Sequence, residues 1–92
     1  PFIKAKNVRM LTIQGIQNYT PVTNRPMVVF ENVQQVSVQQ NTPMVGTGTF
    51  LELVGKTHKD IVIQGNNFTN VMKVVDGDLD GVTLINNIEP KR

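Results

Sequence analysis

The stretch NVRMLTI (residues 7–13) returns in altered form as NVQQVSV (32–38), THKDIVI (57–63) and DLDGVTL (78–84). Each copy is a short turn followed by a three-residue strand of apolar, polar, apolar order. The strands begin at Leu11, Val36, Ile61 and Val82, with spacings of 25, 25 and 21 residues. A period in this range is the mark of a repeat architecture, in which one supersecondary unit is stacked on the next.

Working outward, a second apolar segment precedes each turn. These segments are FIKAK (2–6), MVVF (27–30), FLELV (50–54) and VMKVV (71–75). Polar stretches follow the later strands. Residues 17–26 (QNYTPVTNRP) and 41–49 (NTPMVGTGT) carry the Pro and Gly of surface loops, and residues 66–70 form a shorter return. The shorter step to the fourth copy reads as the loss of such a loop. Two strands, two bends and an optional loop per repeat describe one turn of a parallel β-solenoid. Equivalent strands then lie about 4.8 Å apart in successive turns. No single repeat can bury its apolar face, but a stack makes a continuous core. A small antiparallel sandwich also has short alternating strands between turns. It does not require the same turn and strand order at a constant period.

This arrangement predicts two inward rows, Leu11, Val36, Ile61, Val82 and Ile13, Val38, Ile63, Leu84, with Val8, Val33 and Leu79 packing at the bend. It also aligns amides. Gln14, Gln39 and Gln64 share one step of the cycle, and Asn41, Asn66 and Asn87 share another. Amides stacked in register hydrogen-bond along a stack, and Asn tolerates the left-handed backbone of sharp bends. The amides therefore read as structural. The tail, residues 88–92, reads as polar and frayed.

Composition agrees. Val and Ile are prominent, aromatic residues make up 5% of the chain, and Asn, Gln and Thr are frequent, which favours strands and turns over helices. The net charge of +2 is spread along the chain, so no basic run points to nucleic acid. No apolar stretch approaches the roughly 20 residues that span a bilayer. Without cysteine there is no disulfide, thiol nucleophile or thiolate metal site. The start at Pro1 suggests a processed or excised piece.

At Asn7-Val8-x-x-Leu11-Thr12-Ile13-Gln14-Gly15 the chain resembles the pectin-lyase-like right-handed parallel β-helix superfamily. The rungs look like those of polygalacturonase-type glycoside hydrolases of family 28, over residues 3–88. The resemblance implies an all-β fold, a right-handed parallel β-helix (solenoid) of about four coils, with residues 1–92 as a single domain and a fragment or terminal part of a longer chain. It implies a secreted, periplasmic or cell-surface location and polysaccharide as the partner. The family's catalytic motifs, Asn-Thr-Asp, Asp-Asp, Gly-His-Gly and Arg-Ile-Lys, are not in the chain: Asn41-Thr42 is followed by Pro43, and His58 lies between Thr57 and Lys59. The function expected is a structural module of a polysaccharide-degrading protein, without catalysis of its own. The alternative is a glycan-binding or self-associating adhesin or tailspike segment, because open solenoid ends expose unpaired strand edges that template association.

Three sets of side chains are candidates for chemistry. Asp76, Asp78 and Asp80 match the first half of a calcium loop, D-x-D-x-D-G, closed by Gly81. Position twelve of that loop is Asn87 instead of Glu, and Asp78-Leu79-x-x-Val82 matches the repeated turn, so the simpler reading is a bend, with calcium as the alternative. Glu31 and Glu52, on adjacent first strands, are the best carboxylate pair outside that turn, and Tyr19 in the first loop is a possible sugar-stacking ring. His58 is the only histidine and falls at the bend position of Val8, Val33 and Leu79, so it reads as a bend residue.

Overall fold

The computed structural model describes residues 1–17 and 21–91. The strands are β1 (Ile3–Gln14), β2 (Val28–Gln39), β3 (Thr47–Val54), β4 (Lys59–Gln64), β5 (Val71–Asp76) and β6 (Val82–Ile85). All the ladders between them are parallel. Long strands β1 and β2 each run through a bend, so one strand supplies both legs of a coil. The first leg of β2 pairs with β3, and its second leg pairs with β4. The result is a parallel β-solenoid, whose four stacked second legs enclose about three turns.

Two columns define the register. Ile3, Val28, Leu51 and Val75 stack in the first legs. Leu11, Val36, Ile61 and Val82 stack in the second legs, as the repeat predicts. The columns correct the origin of the uneven spacing. From first leg to second leg (Ile3 to Leu11, Val28 to Val36, Leu51 to Ile61, Val75 to Val82) the steps are 8, 8, 10 and 7 residues. From second leg to the next first leg (Leu11 to Val28, Val36 to Leu51, Ile61 to Val75) they are 17, 15 and 14. The last turn is therefore shorter mainly at its bend, by three residues, and by only one in the return segment. The equal periods of the earlier turns hide compensating differences.

The bends rest on left-handed backbone. Met10, Gln35, Asp60 and Gly81 hold φ of 65°, 55°, 55° and 77°, one at each entry to a second leg. Gly15, Gln40, Gly65 and Asn86 hold 74°, 55°, 68° and 53° at each exit. This conformation costs a residue with a Cβ about 1–2 kcal/mol, which the stacked rungs on either side offset. It is the residue before each ladder asparagine that takes the left-handed bend, not the asparagine expected to. Glycine occupies three of these eight positions.

The inward rows are buried in the middle of the stack and, apart from the buried Ile13, more open at its ends. Val36, Val38, Ile61 and Ile63 are sealed, whereas Leu11 and Val82 are half-buried and Leu84 is exposed. Leu79, expected to pack at its bend, is also exposed, since it lies on the last rung of the described residues. The interior holds three further large side chains, Phe30, Phe50 and Phe68, each fully buried. The rings of Phe50 and Phe68 lie 4.9 Å apart at 54°, within the range for tilted aromatic pairs.

Two expectations for the edges change. Strand β3 begins at Thr47, inside the stretch read as loop, because Thr47 turns back onto the Met44 carbonyl through its N–H and its hydroxyl and then pairs with Val71. The tail is docked: Asn67 bridges to Ile88, and the Lys91 N–H donates to the Thr69 carbonyl at 3.0 Å.

Candidate functional site

The asparagines form a hydrogen-bonded ladder that runs through successive rungs. The Asn66 carboxamide oxygen accepts from the Asn41 backbone N–H and from Asn41 Nδ2, both at 2.9 Å. Asn66 Nδ2 donates to the Val38 carbonyl at 3.0 Å and to Asn87 Oδ1 at 2.9 Å. The same set recurs one rung on, where Asn87 Oδ1 also takes the Asn66 N–H and Asn87 Nδ2 donates to the Ile63 carbonyl. One rung earlier, the Ile16 N–H donates to Asn41 Oδ1 and Asn41 Nδ2 to the Ile13 carbonyl. Asn41 and Asn66 are buried, and every donor they bring inside has a partner, as burial of polar groups demands. On the surface the glutamines make a shorter ladder, with Gln39 Nε2 donating to Gln14 Oε1 and Gln14 Nε2 to Gln40 Oε1, both at 3.0 Å. Gln64 is in register with Gln39 but adds no side-chain bond among the described residues.

The acidic turn is tied to the scaffold. Asp76 Oδ1 accepts from Lys73 Nζ at 3.0 Å, and Asp78 Oδ1 accepts from the Asp80 N–H at 3.0 Å, closing an Asx turn. No three acidic or histidine side chains converge on a cation position among the described residues. The stack accounts for the glycine at 77. A Cβ on it would lie 2.6 Å from the Leu53 carbonyl of the preceding rung, and its φ is 133°. A calcium site with a Kd of 10 μM would add about 2.7 kcal/mol of stability at 1 mM calcium. We expect thermal unfolding followed by circular dichroism to give the same midpoint with calcium and with a chelator.

Glu31 and Glu52 are not directly opposed. Glu52 stacks between Val29 and Asp76, while Glu31 stacks between Lys6 and Val54. Glu31 faces Lys6 Nζ at 3.6 Å, an exposed pair of little energetic weight. The acidic neighbour of Glu52 is Asp76, one rung on, which the sequence pairing did not anticipate. Tyr19 lies outside the described residues.

His58 is 5% exposed and directly precedes Lys59, which pairs with Gln34, so it falls at the bend position expected for it. Its Nε2 lies 2.6 Å from the Asp78 carbonyl and must carry the proton to donate there. Nδ1 is buried without a hydrogen-bond partner. Replacing His58 by Val, the residue of the two preceding rungs, removes one hydrogen bond and one unpartnered acceptor together. Those changes offset, and we expect a stability change within about 1 kcal/mol. His58→Ala leaves a void as well and should lose more, and the two melting temperatures decide between a bend residue and an indispensable one.

Surface concavity gathers on the loop edge. The Gly48 N–H donates to the Val22 carbonyl at 2.8 Å and the Thr23 hydroxyl to the Gly46 carbonyl at 2.7 Å, so the first two loops stack as the rungs do. A hollow of about 410 Å³ crosses three successive coils, with Thr47, Thr69, Asn70, Met72 and Lys91 among its walls. A second, of about 470 Å³, lies under residues 21–25. Protein-family models, curated proteins and solved structures were compared with the chain, and none matches it. The loop-edge walls mix polar and apolar residues from segments that differ in length, so no repeated spacing marks them in the sequence.

Proposed function

We propose that this chain is a structural β-solenoid module of a secreted polysaccharide-degrading protein, not catalytic by itself. The observation that carries the reading is how the polar side chains are used. The ladder asparagines and His58 hold rung to rung, while Asp78 and Asp76 hold the last bend. The loop edge presents two of the surface hollows, and its hydroxyl, amide and ammonium groups suit the hydroxyl-rich face of a glycan. The resemblance of the rungs to those of pectin-active enzymes supports the substrate class.

The test is incubation of the chain with a panel of pectic and other polysaccharides. We expect no release of reducing ends or unsaturated products, and retardation by at least one polysaccharide in affinity electrophoresis. Gly48→Ala should weaken that retardation, since the added Cβ would lie 2.4 Å from the Thr23 carbonyl and force the stacked loops apart. Turnover would contradict the non-catalytic reading, and unchanged mobility in every gel would remove the glycan.

A second reading, an interaction module of the adhesin or tailspike kind, is favoured by the last rung. Leu79, Leu84, Ile85 and Ile88 are 51%, 41%, 40% and 58% exposed along one open end. Unpaired strand edges with apolar neighbours invite another strand.

A further inference from the structure

The asparagine ladder has a direction, and its last step is unfilled among the described residues. In every rung the backbone N–H at the ladder position donates forward to the carboxamide oxygen of the next rung: Ile16 to Asn41, Asn41 to Asn66, Asn66 to Asn87. Each carboxamide nitrogen donates backward to a second-leg carbonyl: Asn41 to Ile13, Asn66 to Val38, Asn87 to Ile63. The next groups in these two series are the Asn87 N–H and the Leu84 carbonyl. Strand geometry aims them outward. The Gly81 and Ile85 carbonyls accept from the Ile61 and Gly65 N–H groups of the preceding rung. Alternation along a parallel strand turns the Leu84 carbonyl to the opposite, open edge.

We propose that the C-terminal rung, β6 with Asn87, is a docking site for a rung-like segment of a partner. That segment is extended, apolar at two alternating positions, turned by a left-handed residue, and carries Asn directly after the turn. The continuity of the rung-to-rung interface specifies this occupant. Its apolar pair covers Val82 and Leu84. Its carboxamide oxygen accepts from the Asn87 N–H and from the second Asn87 Nδ2 hydrogen, and its carboxamide nitrogen donates to the Leu84 carbonyl. A second copy of the chain meets these requirements only in part. Its leading rung, Leu11-Thr12-Ile13-Gln14-Gly15-Ile16, has the apolar pair and the left-handed glycine but presents Ile16 at the ladder position. Stacking copies head to tail would bury the Asn87 N–H against a methyl group.

The inference goes beyond the polysaccharide reading and stands or falls apart from it, since its test contains no sugar. The probe is the full chain carrying Ile16→Asn, which supplies the missing carboxamide, together with Leu84→Lys, which blocks its own open end. This variant can join labelled wild type only in a one-to-one complex, read by analytical ultracentrifugation or fluorescence anisotropy. We expect it to bind the wild-type chain at least tenfold more tightly than the Leu84→Lys single variant does. Leu84→Lys with Ile16→Asp, which puts a carboxylate oxygen against the Leu84 carbonyl, should show no gain. Equal binding by all three variants, or no complex with any of them, overturns the proposal. Should the double variant fail to fold, a peptide of residues 57–70 and its Asn66→Ile form take its place. Tighter binding by the asparagine peptide supports the proposal, and equal or absent binding overturns it.

Discussion

Replacing Asn66 by alanine should lower the melting temperature by roughly 15 °C or prevent folding altogether. Asn66 is 1% exposed. Its carboxamide takes two hydrogen bonds from Asn41 and gives one each to Val38 and Asn87. Alanine leaves the Asn41 N–H and the Val38 carbonyl inside the stack without those partners. Each buried group so orphaned costs about 1–3 kcal/mol. A total near 4 kcal/mol is a large part of the roughly 5–15 kcal/mol that holds a domain together. Asn66→Asp separates shape from hydrogen bonding. It keeps an acceptor for Asn41 but turns oxygen toward the Val38 carbonyl and Asn87 Oδ1, so it should lose about as much as alanine. Asn87→Ala should lose much less, because water reaches that half-buried end of the ladder. If Asn66→Ala and Asn87→Ala melt at the same temperature, the ladder does not hold the stack.

The second large effect belongs to Phe68. Its ring is fully buried and packs on Phe50 with centroids 4.9 Å apart. Its backbone N–H donates to the Ile88 carbonyl at 2.8 Å, which fixes the chain so that the ring points inward. Phe→Ala in a core costs about 3–5 kcal/mol. We expect Phe68→Ala to destabilise the chain as much as a change in the middle of the second-leg rows. Met72→Ala, four residues along at a position 78% exposed, should be close to neutral. Urea unfolding of both variants with an unchanged slope checks the comparison. A midpoint for Phe68→Ala near that of the unaltered chain would show that the return face adds nothing to the core.

Phe68 also shows where sequence reading stops. The second legs were legible because alternation and period agree there: Val36, Val38, Ile61 and Ile63 are all buried as predicted. The asparagine ladder was legible for the same reason. Phe68 sits in a return segment of variable length, where no periodicity says which side chain turns inward. The strand from Thr47 was hidden similarly, since its Gly and Thr look like loop residues until register with Val71 and Lys73 is known. Glu31 and Glu52 lie on adjacent first legs but two residues out of register, because that step advances by 23 residues and the two glutamates are 21 apart. The loop-edge hollow was legible as a location and not as a set of residues.

Bend and return lengths both vary from coil to coil, yet one interval does not. From the left-handed residue entering a second leg to the ladder position is six residues in each coil: Met10 to Ile16, Gln35 to Asn41, Asp60 to Asn66, Gly81 to Asn87. This interval is the molecule's gauge block, and the rest of each coil is slack. One residue inserted between Asp60 and Asn66 would exchange the two faces of β4 for the remainder of the strand and throw the carboxamide out of line. The same insertion beside Val45 or Asn70 would only widen the circumference. Insertions and deletions in descendants of this chain should therefore accumulate between gauge blocks and stay out of them.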